Sequence, residues 1–121
     1  MADWQTALET VAAAYARGTL EKDARTISEA YRLKTGEGRR LLTRKSEAAA
    51  YALSRMPATV EAAKAALTEA LAATGLAPKT LLDCGAGTGA VTFAADALLG
   101  LERATCLERE TAMRAVGQQL M

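Results

Sequence analysis

Asp83, Gly85, Ala86, Gly87 and Gly89, with Glu108 farther along the chain, are the residues whose types and spacing point to chemistry. Glycines at alternate positions let backbone amides and carbonyls come close to a ligand, and a helix that follows such a turn presents its positive end to a polar or charged group. Glu108 lies 23 residues beyond Gly85, a spacing at which the end of the next strand offers an acceptor pair to both hydroxyls of a ribose. Turn and carboxylate together fit one nucleoside; a ligand-free tight turn and a solvated Glu108 are the plainer alternative. The chain has no histidine, which excludes an imidazole base or metal ligand. Its two cysteines, Cys84 and Cys106, have neither the number nor the spacing of a disulfide framework or zinc site, and they read as inert core thiols in a reducing compartment. No side chain identifies itself as a catalytic base, and no cluster suggests a metal site.

Two ligand classes satisfy this pattern. Residues 85–90, Gly-Ala-Gly-Thr-Gly-Ala, fit the dinucleotide fingerprint in which the last glycine is replaced by alanine, so a nicotinamide- or flavin-dependent oxidoreductase is one reading. Asp83, two residues before the first glycine, favours another. A carboxylate there repels a pyrophosphate and attracts the cationic amino-acid end of S-adenosylmethionine, directly or through water.

The elements that must hold these residues follow from the rest of the chain. With 121 residues the chain is about one domain's worth, and no apolar run approaches the roughly 18 residues of a membrane span. The N-terminus lacks the basic start and apolar stretch of a signal peptide, so the expected location is cytoplasmic. Half the residues are hydrophobic, but the count leans on alanine and only five are aromatic, which favours helices. Asp3 caps a helix carrying Leu8, Val11, Ala12 and Tyr15 and ended by Gly18. A second begins near Thr19 or Leu20 and carries Ala24, Ile27 and Tyr31 as far as Gly36-Glu37-Gly38. A third runs from about Thr43 to Arg55 with Ala48, Tyr51 and Leu53 inside. Pro57 either opens a fourth helix or kinks the third into it; this last stretch, ending near Thr74, is so rich in alanine that a close neighbour is expected to cover it.

Residues 80–84, Thr-Leu-Leu-Asp-Cys, bounded by Pro78 and Gly85, read as a strand buried on both faces. A helix from Ala90 to Leu99, a strand from Arg103 to Glu108 and a helix from Thr111 to Leu120 follow. The expected fold is α/β: an N-terminal helical domain over 1–77, then over 78–121 the first two strand-helix units of an incomplete Rossmann-like parallel sheet, whose ligand sits at the carboxyl ends of the strands. Two strands leave an open edge and an uncovered face, which implies self-association or a partner.

Charge adds one signal. Residues 32–55 carry seven basic side chains against two acidic ones, for +5, although the whole chain is only +1. Arg39, Arg40, Arg44, Lys45 and Arg55 within it are candidates for contacting RNA phosphate through counterion release, or else form an ordinary solvated surface.

Leu81-Leu82-Asp83-Cys84-Gly85-Ala86-Gly87-Thr88-Gly89 resembles the first motif of class I S-adenosylmethionine-dependent methyltransferases, and Leu107-Glu108 resembles the acidic end of their second strand. More narrowly, residues 46–59, Ser-Glu-Ala-Ala-Ala-Tyr-Ala-Leu-Ser-Arg-Met-Pro-Ala-Thr, followed about twenty residues later by the glycine turn, are similar to bacterial relatives of the mitochondrial small-ribosomal-subunit methyltransferase-like assembly factors. Ile27 to Arg32 and Met113 to Gly117 fit the same pattern. The resemblance implies an adenosylmethionine-binding protein that acts on, or docks to, small-subunit ribosomal RNA. By position, Gly85, Gly87 and Gly89 would pack under the cofactor, Asp83 would organise its methionyl end and Glu108 would hold its ribose. Val60 stands where relatives carry an aromatic residue. The family's further strands, and a cysteine cluster proposed to bind iron and sulfur, do not occur before Met121, so the chain reads as an N-terminal fragment with little or no turnover. A noncatalytic assembly factor that keeps the cofactor fold is the alternative from a different class.

Overall fold

The computed structural model describes residues 3–34 and 44–121, with side chains from 3 to 29 and from 44 onward. Seven elements follow one another: α1 (Trp4–Ala13), α2 (Arg17–Lys34), α3 (Lys45–Thr74), β1 (Thr80–Cys84), α4 (Ala90–Leu99), β2 (Arg103–Leu107) and α5 (Thr111–Leu120). This is the expected α/β arrangement, helices followed by two strand-helix units.

α1 starts where Asp3 supplies its carboxylate to the Gln5 amide at 3.0 Å and the Thr6 hydroxyl at 2.7 Å. These bonds, the Thr6 one foremost, hold the Asp3 carboxyl below its ordinary value. Gly18 does not end α1, contrary to expectation. The helix stops at Ala13, and Gly18 lies in the first turn of α2, a placement that costs roughly 1 kcal/mol and is offset because α2 thereby brings Leu20 and Ile27 into the core. Ala24 packs against that core as expected; the side chain of Tyr31, and the Gly36-Glu37-Gly38 break, lie outside the described residues.

Of the two outcomes open at Pro57, the structure takes the one in which the third helix runs into the fourth: they are one helix of 30 residues, α3, with Pro57 inside it. Proline deprives the carbonyl four residues earlier of its donor. That carbonyl belongs to Leu53, which is 42% exposed, so water can take the donor's part. Leu53 is therefore an outward residue rather than a core one. Ala48, Ala49, Ala50, Ala52, Met56 and Val60 form the buried stripe instead, and α1, α2, α4 and α5 all pack on α3. Trp4 of α1 meets Phe93 of α4 with ring centroids 6.2 Å apart. The stretch beyond Val60, expected to be covered because of its alanines, is largely exposed. It ends at Gly75, whose φ of 69° and amide bond to the Leu71 carbonyl close the helix in the left-handed conformation that glycine adopts without strain.

β1 and β2 pair in parallel, Thr80 opposite Arg103 through Cys84 opposite Leu107. Leu81 and Asp83 face inward with Ala104 and Cys106, but the outer face is bare: Leu82 is 60% and Leu107 53% exposed, and Cys84 is exposed too. The expectation of a strand buried on both faces, with Cys84 as a core thiol, is thus corrected. A parallel strand is sealed on both sides only when helices lie on both faces, and the helices described here cover one. No described helix is long and apolar enough to cross a membrane.

Candidate functional site

The glycine turn takes its shape from three residues with positive φ, Gly85 at 73°, Gly87 at 58° and Gly89 at 98°. A side chain at any of them would be strained. The amides of Gly85 and Ala86 both donate to the Leu107 carbonyl, at 2.8 and 2.9 Å, so the turn is tied directly to the end of β2. Gly89 then caps α4, and its carbonyl accepts from the Phe93 amide at 2.9 Å.

Glu108, the residue after β2, is drawn into this turn. Its Oε1 accepts the Gly87 amide at 2.9 Å and its Oε2 the Glu110 amide at 2.7 Å. Each carboxylate oxygen accepts two hydrogen bonds at least, so both retain capacity for a diol, and the rotamer is set before any ligand arrives. The loop behind it is held by Arg114, whose guanidinium donates to the Glu108 carbonyl at 2.6 Å, the Arg109 carbonyl at 3.1 Å and the Thr111 hydroxyl at 3.1 Å.

Ala86, Gly87, Gly89 and Glu108 line one cavity of about 130 Å³, together with Cys106, the α5 residues Arg114 and Gly117, and Met121 just beyond α5. α5 lies close over the turn. A Cβ built on Gly117 would sit 3.3 Å from the Thr88 carbonyl oxygen, and one on Gly89 only 2.7 Å from the Met121 methyl. Ligand pockets usually enclose roughly 300 Å³ or more, so this cavity is small, and the Met121 side chain fills the space beside Gly89.

Two of the expected residues stand apart from this cavity. Gly85 shapes the turn without lining it. Asp83 is 9% exposed and faces α4, where its Oδ2 accepts the Thr92 hydroxyl at 2.8 Å. Thr92 is completely buried and lies 3.3 Å from the Cys106 sulfur. Sequence reasoning passed over Thr92, yet a hydroxyl in the middle of Ala90 to Ala95, otherwise apolar, is a signal that some buried group needs it. Met56 was passed over too. It accepts the Thr88 hydroxyl at its sulfur, 3.5 Å away, and so joins α3 to the glycine turn; nothing in the sequence marks that contact.

The basic candidates divide. Arg39 and Arg40 lie outside the described residues. Arg44 is engaged internally, to Glu47 at 3.0 Å and to the buried Asp23 at 3.2 Å. Those partners, Glu47 first, raise the guanidinium further above its ordinary value. Lys45 and Arg55 are exposed. A larger hollow of about 420 Å³ lies beside Lys45, against Thr10, Tyr15 and Gln119, far poorer in groups that could hold a ligand in one orientation.

Residues 45–121 match the family model described as mitochondrial small ribosomal subunit Rsm22. The match starts at the first residue of α3 and takes in every element that builds the glycine-turn cavity. No curated protein matches the chain.

Proposed function

The chain belongs to the mitochondrial small ribosomal subunit Rsm22 family, and on that premise we propose that it is a methyltransferase-like protein that binds S-adenosylmethionine at the glycine turn and works with a small ribosomal subunit. The observation that carries this reading is the Glu108 carboxylate, held by the Gly87 and Glu110 amides at the mouth of the turn. Its remaining lone pairs suit the two ribose hydroxyls. The glycines at 87 and 89 leave no Cβ in the way, and this fixed acceptor beside them suits the nucleoside half of the cofactor. When bound, S-adenosylmethionine supplies an activated methyl group; this chain's part is to hold the ribose and exclude water from one side of it.

Binding has more support than turnover. The ionisable side chains lining the cavity are Cys106, Glu108 and Arg114, and the last two are already committed to backbone partners. Methyl transfer works largely by alignment, with a base where the nucleophile requires one, and these residues offer none free. A noncatalytic role in ribosome assembly is accordingly the second reading. The RNA contact is proposed for Lys45 and Arg55, which are exposed, and for Arg39 and Arg40 by charge; Arg44 would first have to leave Asp23 and Glu47.

The test is calorimetric titration of S-adenosylmethionine into the chain and into Glu108→Ala. Binding by the parent, weakened about a hundredfold in the variant as expected when a hydrogen-bonded carboxylate is lost, supports the reading. NAD that binds in its place, or equal affinity of both proteins, overturns it and favours the oxidoreductase alternative or a site elsewhere.

A further inference from the structure

The hollow between α1, the start of α3 and the end of α5 takes no part in the glycine-turn site. At about 420 Å³ it is much the larger cavity, and it falls within the roughly 300 to 1,000 Å³ of ordinary ligand pockets. Val11 and Ala14 give it apolar surface, and Tyr15 gives it an aromatic one. Tyr15 is half-buried and both packs against the core and lines the hollow, so its ring is held in place while part of it stays open. Among the described lining residues only Lys45 is charged. It is exposed, pairs with no carboxylate among the described residues, and opens α3, whose positive end adds to its own charge. Three neutral polar groups complete the lining: the Tyr15 hydroxyl, the Gln119 amide and the Thr10 hydroxyl, which donates to the Thr6 carbonyl at 3.2 Å and keeps its oxygen free to accept. Thr10, Val11, Ala14 and Tyr15 all precede residue 45, where the family match begins. The hollow is thus made jointly by the matched region and the helix in front of it.

We propose that this hollow receives an unpaired base of single-stranded RNA, stacked on Tyr15, with the adjoining phosphate at Lys45. This rests on the reading that Lys45 contacts ribosomal RNA, and it names the kind of RNA segment held there. Charge complementarity selects the occupant. Residues 32–55 carry +5, and the described lining holds a cation and no carboxylate, so a polyanion is drawn to its mouth. An apolar peptide side chain would leave Lys45 without a counter-charge. The scarcity of orienting groups points the same way. Selective binding of a small metabolite calls for several convergent polar groups, whereas a ring with few donors around it accepts any base, because every base has a stacking face. Bases inside a duplex are already stacked and out of reach, so the hollow selects unpaired RNA.

The experiment follows the fluorescence anisotropy of two labelled probes, a short RNA single strand of mixed sequence and a blunt RNA duplex of the same length. Each is titrated with the parent chain, Tyr15→Leu, Tyr15→Phe and Lys45→Ala. Leucine keeps apolar volume and deletes the ring; phenylalanine keeps the ring. The expected result is that Tyr15→Leu binds the single strand about tenfold more weakly, the loss of one stacked base, while Tyr15→Phe stays within about twofold of the parent. Duplex binding should be the same for all three, and unchanged helical circular dichroism shows that the leucine variant is folded. Lys45→Ala should lower the slope of log affinity against log salt by about 0.7, the loss of one phosphate contact. Equal affinity of Tyr15→Leu and the parent for the single strand, or an equal loss in the phenylalanine variant, assigns Tyr15 a packing role only and overturns the inference. An unchanged salt slope in Lys45→Ala, a change at an exposed position, overturns it whatever the leucine variant does. A parent dimer in sedimentation that Tyr15→Leu dissociates gives the hollow to a second copy and overturns it as well. A parent that binds no RNA removes the RNA contact of the functional reading and this inference with it, a result distinct from any difference between variants and separate from the S-adenosylmethionine titration.

Discussion

The two halves of α3 are both rich in alanine and have opposite fates. From Lys45 to Val60 the alanines at 48, 49, 50 and 52 are sealed from water; from Glu61 to Thr74 a still denser run of alanines is mostly exposed. The inner and outer faces of the sheet repeat the contrast, with Leu81 half-buried and its neighbour Leu82 open. Alanine offers little area, at about 25 cal/mol per Å² of apolar surface removed from water, so it does not itself draw a partner. Its value is that another backbone can come close. Where α1, α2, α4 and α5 supply those backbones the alanines become core; where nothing is opposite, the same residues remain a solvated helix sustained by high propensity.

The largest effect should come from the point where the buried half meets the glycine turn. Met56→Ala empties a fully buried site and removes the sulfur that accepts from Thr88; the expected loss is about 2 to 5 kcal/mol in chemical denaturation, and a loss below about 1 kcal/mol would deny that this half anchors the fold. A matched pair sharpens the contrast. Ala52→Leu forces an isobutyl group into a closed layer and should cost about 1 to 3 kcal/mol, while Ala66→Leu on the exposed half should stay within about 0.5 kcal/mol of the parent. A comparable penalty in both would mean that the second half is packed against something in solution. The smallest expected effect lies at the far end of α1, where the Asp3 carboxyl is held below its ordinary value by Thr6 and Gln5. A depressed carboxyl stabilises fully above its unfolded-state pKa, and that benefit fades as pH falls through the lower folded-state value. Thermal melts in acid should therefore show a slightly shallower loss for Asp3→Ala than for the parent.

Much of this was legible in the sequence, for identifiable reasons. The strand bounds at 80–84, the glycine turn and the last helix follow from glycine and proline punctuation, which acts locally through φ. Glu108 and the turn could be assigned to one site because a strand-turn-helix-strand unit has few ways to close. The errors also share a cause. Gly18 and the outer face of β1 were each judged by local preference, and each was decided by whether a distant element lay opposite: α3 beneath Leu20 and Ile27, bare solvent over Leu82 and Cys84.

What the sequence determined by itself is therefore the set of elements, their order and the residue types at the glycine turn, because helix caps, turn residues and apolar spacing act over a few positions. Only the tertiary structure decided that Asp83 faces Thr92 rather than the cavity, that Glu108 is held by the Gly87 amide, that Arg44 is bound to Asp23, and that one half of α3 is core. Those outcomes depend on which backbone approaches which side chain across tens of residues, and neither spacing nor composition carries that information.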